Sequence, residues 1–310
     1  MSQRIVLIGS AGFVGSNLLK YLGGFEISTP SEHDVDLTNP ESLCRAISPG
    51  DVVLNAAGYA NATDFTDRGR ALFQAVNVDG VRNLAEAAAR QQAAQLVHIS
   101  SVAAMGRLNR EGITEEMSLP VTTPYAKSKL EGELILREWS EKLPVTILRP
   151  TSVFGEGRGL AHLLCKIACL PVVPLPGGGK ARIPFTYIGN IAKAVELTIG
   201  NPGCFGRTFI VGDEESYSLH TIVRGLAAAM GKKPRIIGVP VSASYLATLG
   251  LERASRLLGR APVFDRGRLE TLTTTVSYSI DAIKSATGFR PPYSLEESLQ
   301  RIADWYLQHP

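Results

Sequence analysis

Two hydrophobic patterns alternate along the first half of the chain. Short unbroken apolar runs, Ile5-Val6-Leu7-Ile8, Val52-Val53-Leu54 and Leu96-Val97-His98-Ile99, suit parallel strands buried on both faces. Between them, residues 41–47, 65–90 and 124–139 read as helices. Ala85, Ala87, Ala88 and Ala89 enrich the end of the second of these, where they allow close packing. The strand–helix rhythm predicts an α/β fold with a doubly wound parallel sheet. Near residue 156 it breaks. Pro171, Pro174, Pro176 and Gly177-Gly178-Gly179 then mark a loop or hairpin, not a sheet interior. The expected organisation is a main domain over 1–155, rejoined by about 187–213, with a smaller C-terminal lobe from about 156–186 and 214–310.

The first strand runs directly into Gly9-Ser10-Ala11-Gly12-Phe13-Val14-Gly15, and a helix follows. Gly9 permits the tight turn, Gly12 lets the backbone approach a pyrophosphate, and Gly15 lets the helix pack close to the sheet. An anion then sits at the helix N-terminus, where free N–H groups and the helix dipole favour it. The spacing is G-x-x-G-x-x-G, one residue wider in its first gap than the G-x-G-x-x-G fingerprint.

Tyr125 and Lys129 are four residues apart, hence one turn apart on one helix face. An ammonium beside a phenol is expected to lower the Tyr125 pKa from about 10 toward neutrality. A phenol so tuned exchanges a proton with a substrate oxygen near neutral pH. Ser101 ends a strand, where ligands bind in open α/β sheets, and its hydroxyl is placed to hold that oxygen. Ser100 points to the opposite face of the strand.

Together these residues resemble the extended short-chain dehydrogenase/reductase family, and the resemblance runs along nearly the whole chain. It includes Asp36-Leu37, Asn55-Ala56-Ala57-Gly58, Asn77 within Val76–Gly80, Leu148-Arg149-Pro150, Val153-Phe154-Gly155, Tyr187–Ala192 and the tail Asp281-x-x-Lys284 through Pro291. It implies a Rossmann fold and a nicotinamide cofactor. Gly9, Ala11, Gly12, Phe13, Val14, Gly15, Asp36, Leu37, Asn55, Ala56, Ala57, Gly58, Asn77, Ser100, Tyr125, Lys129, Pro150 and Val153 would bind it. It further implies a homodimer, a catalytic set of Ser101, Tyr125 and Lys129, and a small-molecule substrate, most often a nucleotide-linked sugar.

Cofactor choice is written NAD(P), with a lean to NAD, because no cation ends the second strand at 25–31. Ser101-Val102-Ala103 stands where the dehydratase branch carries Thr-Asp-Glu, which argues against sugar dehydration. Epimerase, ketoreductase and alcohol dehydrogenase remain. Lys180 and Arg182 stand where nucleotide-sugar enzymes hold the diphosphate. Arg266 and Arg268 lie upstream of the family's arginine position, out of register. That departure keeps a 3β-hydroxysteroid-dehydrogenase-like or other bulky-ketone reductase open, beside a non-catalytic NAD(P)-sensing regulator.

Composition adds exclusions. The 310 residues are 45% hydrophobic and 20% charged, as in ordinary globular proteins. A net charge of +3 gives no reason to expect nucleic acid, and no apolar stretch has transmembrane length, so no membrane partner is expected. The first strand starts too early for a signal peptide, and Cys44, Cys165, Cys169 and Cys204 lack framework spacing, so a reducing cytoplasm is expected. His162, Cys165 and Cys169 share a helix face but have no fourth ligand nearby, and no metal is expected.

Overall fold

The computed structural model describes residues 3–31, 33–62, 64–106, 110–117, 119–157, 159–257 and 265–309. Six parallel strands form its central sheet: β1 (Arg4–Ile8), β2 (Glu26–Ser28), β3 (Val52–Asn55), β4 (Gln95–Ile99), β5 (Val145–Pro150) and β6 (Arg207–Val211). Their order is β6-β5-β4-β3-β1-β2. The order reverses between β1 and β3, which opens a crevice beyond their carboxyl ends. This is the Rossmann arrangement.

Strand alternation divides the core in two. Ile5 and Leu7 of β1 face one layer with Leu18 and Ile191, while Val6 and Ile8 face the other with Leu43, Leu84 and Leu136. The helices Phe13–Tyr21 and Ile188–Thr198 therefore cover one face. Pro40–Ala46, Gly80–Arg90 and Pro124–Trp139 cover the other.

One helix departs from expectation. The segment read as a single helix over 65–90 is α-helical at Asp67–Leu72, π-helical at Phe73–Asp79 and α-helical again at Gly80–Arg90. The widened turn brings the Asn77 carbonyl against Gly132 of the Tyr125 helix, where a Cβ would lie 2.5 Å from that oxygen. Tertiary contact, which helical periodicity does not report, selects the π turn.

Beyond residue 151, apart from β6, the strands pair in twos. Ser152–Phe154 pairs with Phe185–Tyr187, Arg182–Ile183 with Tyr217–Ser218, and Val172–Pro176 with Arg235–Val239. The proline-rich stretch is thus an edge strand, and Gly177, Gly178 and Gly179 turn its end with φ of +58°, +69° and +65°. The chain then adds helices Val241–Leu257, Arg266–Thr273, Asp281–Thr287 and Leu295–Gln308.

Candidate active site

The glycine turn lies at the sheet crevice. Gly9 has φ +84°, and a Cβ there would lie 2.5 Å from the Ala57 amide nitrogen, so β1 and the Asn55–Gly58 stretch meet backbone to backbone. A Cβ on Gly15 would collide with the Gly9 carbonyl, which fixes how closely the helix seats on the turn. Gly12 differs from both. Its nearest neighbour would be the Gly9 oxygen at 3.3 Å, and it caps the helix with no side chain and no acid in the first turn. The chain's own packing constrains position 12 far less than positions 9 and 15, and a bare backbone there leaves room for an anion at the helix N-terminus. The cradle therefore fits a dinucleotide pyrophosphate.

Other expected cofactor residues join this cradle indirectly. The Asn55 amide donates to Nδ1 of buried His98 at 3.0 Å, and its oxygen accepts from the Ala57 amide at 3.0 Å. Asn77 accepts from the Tyr59 amide at 2.9 Å and donates to the Tyr59 carbonyl and the Ser128 hydroxyl, both at 3.0 Å. Both amides are spent inside the protein and shape the loop over the cradle. Phe13 packs against Gly155 and Gly157. Asp36 is exposed and accepts from the Thr38 amide and hydroxyl at 2.8 Å, whereas Leu37 is buried against Gly80. Ala11 is exposed, Val14 and Val153 are half-buried, and Pro150 ends β5 in the core. The Ser100 hydroxyl donates at 2.5 Å to Glu133, itself fully buried and held by Arg149 at 2.6 Å, so it is committed away from the crevice.

Tyr125 stands in the first turn of helix Pro124–Trp139, which Pro124 starts and Thr123 caps by accepting from the Ala126 amide at 3.2 Å. Ser101 lies two residues beyond β4 and caps the short turn Val102–Met105, accepting from the Ala103 amide. Both side chains line one cavity of about 1120 Å³, with Thr151, Ile183 and Pro184. Burial raises the Tyr125 pKa above its ordinary value, and a hydrogen bond from Ser101 opposes this. The expected lowering by Lys129 is not what the fold produces. Lys129 is buried, its own pKa is drawn down to about 8 by burial against the pull of Glu133, and its charge bears on His98 rather than on the phenol. Its Nζ lies beside Gly58, 3.0 Å from where a Cβ would stand. One helical turn separates the two residues along the helix, but the phenol answers to its own desolvation, opposed by Ser101 and not by the ammonium.

The cations on the cavity wall correct a second expectation. Lys180 and Arg182 do not line it; Arg182 is exposed and pairs with Glu215 at 3.4 Å. Arg266 and Arg268 line it instead, with Tyr245 and Glu252. Glu252 accepts from the Arg266 amide at 2.9 Å and from its Nε at 3.1 Å, which anchors this wall. Sequence reasoning noticed both arginines but discarded them on register, and nothing local marks a tertiary neighbour. Among the described residues no group of three His, Cys, Asp or Glu could hold a metal; His162 packs on Trp305 and Tyr306, and Cys169 Sγ lies 3.9 Å from Met230 Sδ.

Comparison with known proteins fits this geometry. A family model described as the NAD dependent epimerase/dehydratase family matches residues 5–212. The chain is 27% identical to the N-acetyl-alpha-D-glucosaminyl-diphospho-ditrans,octacis-undecaprenol 4-epimerase of Escherichia coli O157:H7, over 100% of this chain and 97% of that one. It is also 27% identical to the UDP-glucose 4-epimerase of Vibrio cholerae, over 99% and 97%. Among solved structures, RMD from Pseudomonas aeruginosa complexed with NADPH superposes with a TM-score of 0.78 at 21% identity, covering both chains completely, and shows the shared fold.

Proposed function

Because the chain belongs to the NAD dependent epimerase/dehydratase family, we propose that it is a 4-epimerase or 4-ketoreductase of a diphosphate-linked sugar, with Tyr125 as proton carrier. The enzyme class and the NAD(P) requirement follow from the family. The observation that carries the finer reading is the meeting of Tyr125 and Ser101 on one cavity, one helical turn from buried Lys129.

When bound, the nicotinamide accepts or returns hydride. The turn Gly9–Gly15 and the backbone of Ala56–Gly58 would hold its dinucleotide. Ser101 positions the substrate oxygen by hydrogen bonding. Tyr125, kept protonated by burial, gives its proton to a ketone oxygen as the alcohol forms and takes it back in the reverse direction. Lys129 places a positive charge beside Gly58, on the border of the backbone that would hold the dinucleotide.

Arg266 and Arg268 on the wall, half-exposed and paired with Glu252 and Asp265, favour a diphosphate over a sterol, since an anion covering a guanidinium adds a charged partner and a hydrocarbon removes only its water. Two relatives whose names specify a diphospho- or UDP-linked sugar support the same choice. NAD is favoured over NADP because no lysine or arginine stands at the end of β2 to meet a 2′-phosphate.

The test is to denature the purified protein, identify the released dinucleotide, and assay C4 interconversion of UDP-glucose and UDP-N-acetylglucosamine with Tyr125→Phe beside wild type. The variant should retain dinucleotide and lose at least about 100-fold in turnover. Undiminished turnover by Tyr125→Phe would remove Tyr125 from the proton path.

A further inference from the structure

The helix Val241–Leu257 is built inside out. Its buried side chains include Thr248 and Glu252, whereas Ala243, Leu246, Ala247, Leu251 and Ala254 face solvent. Leu246 is 68% exposed and Leu251 53%. A surface helix ordinarily turns its apolar stripe inward. The strand pair leading into the helix repeats the pattern. Its register sets Val172 beside Arg235 and Pro174 beside Ile237, and Leu170, Val172 and Ile237 are all exposed. Val241 joins the two surfaces, since its side chain lies against Gly177 at the end of the strand.

The lobe carries a positive balance: residues 156–186 and 214–310 contain sixteen lysines and arginines against ten aspartates and glutamates. Lys232, Lys233 and Arg235, which lead into the apolar helix, are exposed and make no ion pair among the described residues. Exposed leucines on the helix, with exposed cations at the start of the strand that leads into it, match an anionic lipid surface, where apolar groups enter the headgroup region and lysines meet phosphates. No described helix is long and apolar enough to cross a membrane, so the contact is peripheral.

We propose that the face formed by helix 241–257 and strand 235–239 docks on an anionic bilayer and presents the cavity to a sugar carried on a lipid diphosphate. Val241 and Tyr245 of this helix line the cavity that Arg266 and Arg268 flank, so the docking face and the diphosphate wall share one element. The lipid carrier rests on the proposed function; the docking itself does not.

Vesicle flotation tests it, with vesicles of phosphatidylcholine alone or mixed with phosphatidylglycerol. Wild type should float with the anionic vesicles, and added salt should weaken this. Leu246→Asp/Leu251→Asp should lose binding at least about tenfold, because both leucines are exposed and neither lines the cavity. Lys232→Glu/Lys233→Glu should lose about tenfold or more on anionic vesicles. Tyr125→Phe should float like wild type, which separates failure of the docking from failure of the catalytic reading. Absence of wild-type flotation, or flotation unchanged in both double variants, overturns the proposal. A wild-type dimer in light scattering that Leu246→Asp dissociates, without vesicle binding, overturns it in favour of a contact between copies.

Discussion

Asn77 clamps the loop at Tyr59 to the Tyr125 helix, accepting from the Tyr59 amide at 2.9 Å and donating to the Ser128 hydroxyl at 3.0 Å. Its Oδ1 and the Lys129 Nζ lie 3.2 and 3.0 Å from the same point above Gly58, so the clamp also borders the buried ammonium. Asn77→Ala leaves the Tyr59 amide and carbonyl without these partners, and one unsatisfied buried group costs about 1–3 kcal/mol. The expected outcome is a lower melting temperature together with weaker dinucleotide binding, read by thermal unfolding and fluorescence titration.

Gly12 and Gly15 separate binding from folding. A Cβ at Gly15 collides with the Gly9 carbonyl, while one at Gly12 meets only that oxygen at 3.3 Å. Gly15→Ala should therefore unfold at lower denaturant. Gly12→Ala should keep the wild-type midpoint and bind NAD(H) at least about tenfold more weakly, through loss of close backbone approach.

Lys129 carries a stability cost. Its pKa in the folded protein is about 8, against an ordinary 10.5. Between these values the unfolded chain holds more protons, so this group's contribution to stability rises with pH across that window. At neutral pH the buried charge opposes folding by at most about 3 kcal/mol. Lys129→Met should melt above wild type at pH 7, with the gap closing as pH rises from 8 to 10.5, and should lose turnover. A melting temperature below wild type at pH 7 would count against a costly buried ammonium.

Asp213 is the acidic counterpart. Burial raises its carboxyl to about 7, against 3.8, although Asn190 donates to it at 2.8 Å. The folded state here holds more protons between 3.8 and 7, so stability from this group is full below that window and is lost as pH rises through it. Asp213→Asn should melt higher than wild type at pH 8 and equally at pH 4. An equal difference at both pH values would show that the carboxylate is not desolvated.

Much of the scaffold was legible because it is written locally. Apolar runs placed β1 and β3 within a residue of their observed bounds, the strand read to Ser101 ends at Ile99, and Pro124–Trp139 matches the expected helix. The turn at Gly9–Gly15 could be read because φ of +84° at Gly9 is a demand on one residue. The π-helical stretch at Phe73–Asp79 could not, since its cause is Gly132, some fifty residues away. A net charge of +3 likewise concealed the positive balance of the C-terminal lobe, because a total does not report where its charges stand.

By itself, the sequence determined the parallel sheet, the glycine turn and the four-residue spacing of Tyr125 and Lys129. These follow from backbone geometry and periodicity, which act within a few residues. Tertiary structure decided which cations reach the cavity, placing Arg266 and Arg268 there and leaving Lys180 and Arg182 outside. It also decided the protonation of Tyr125 and Lys129, because burial acts through every neighbour that excludes water, and those neighbours come together only when the chain has folded.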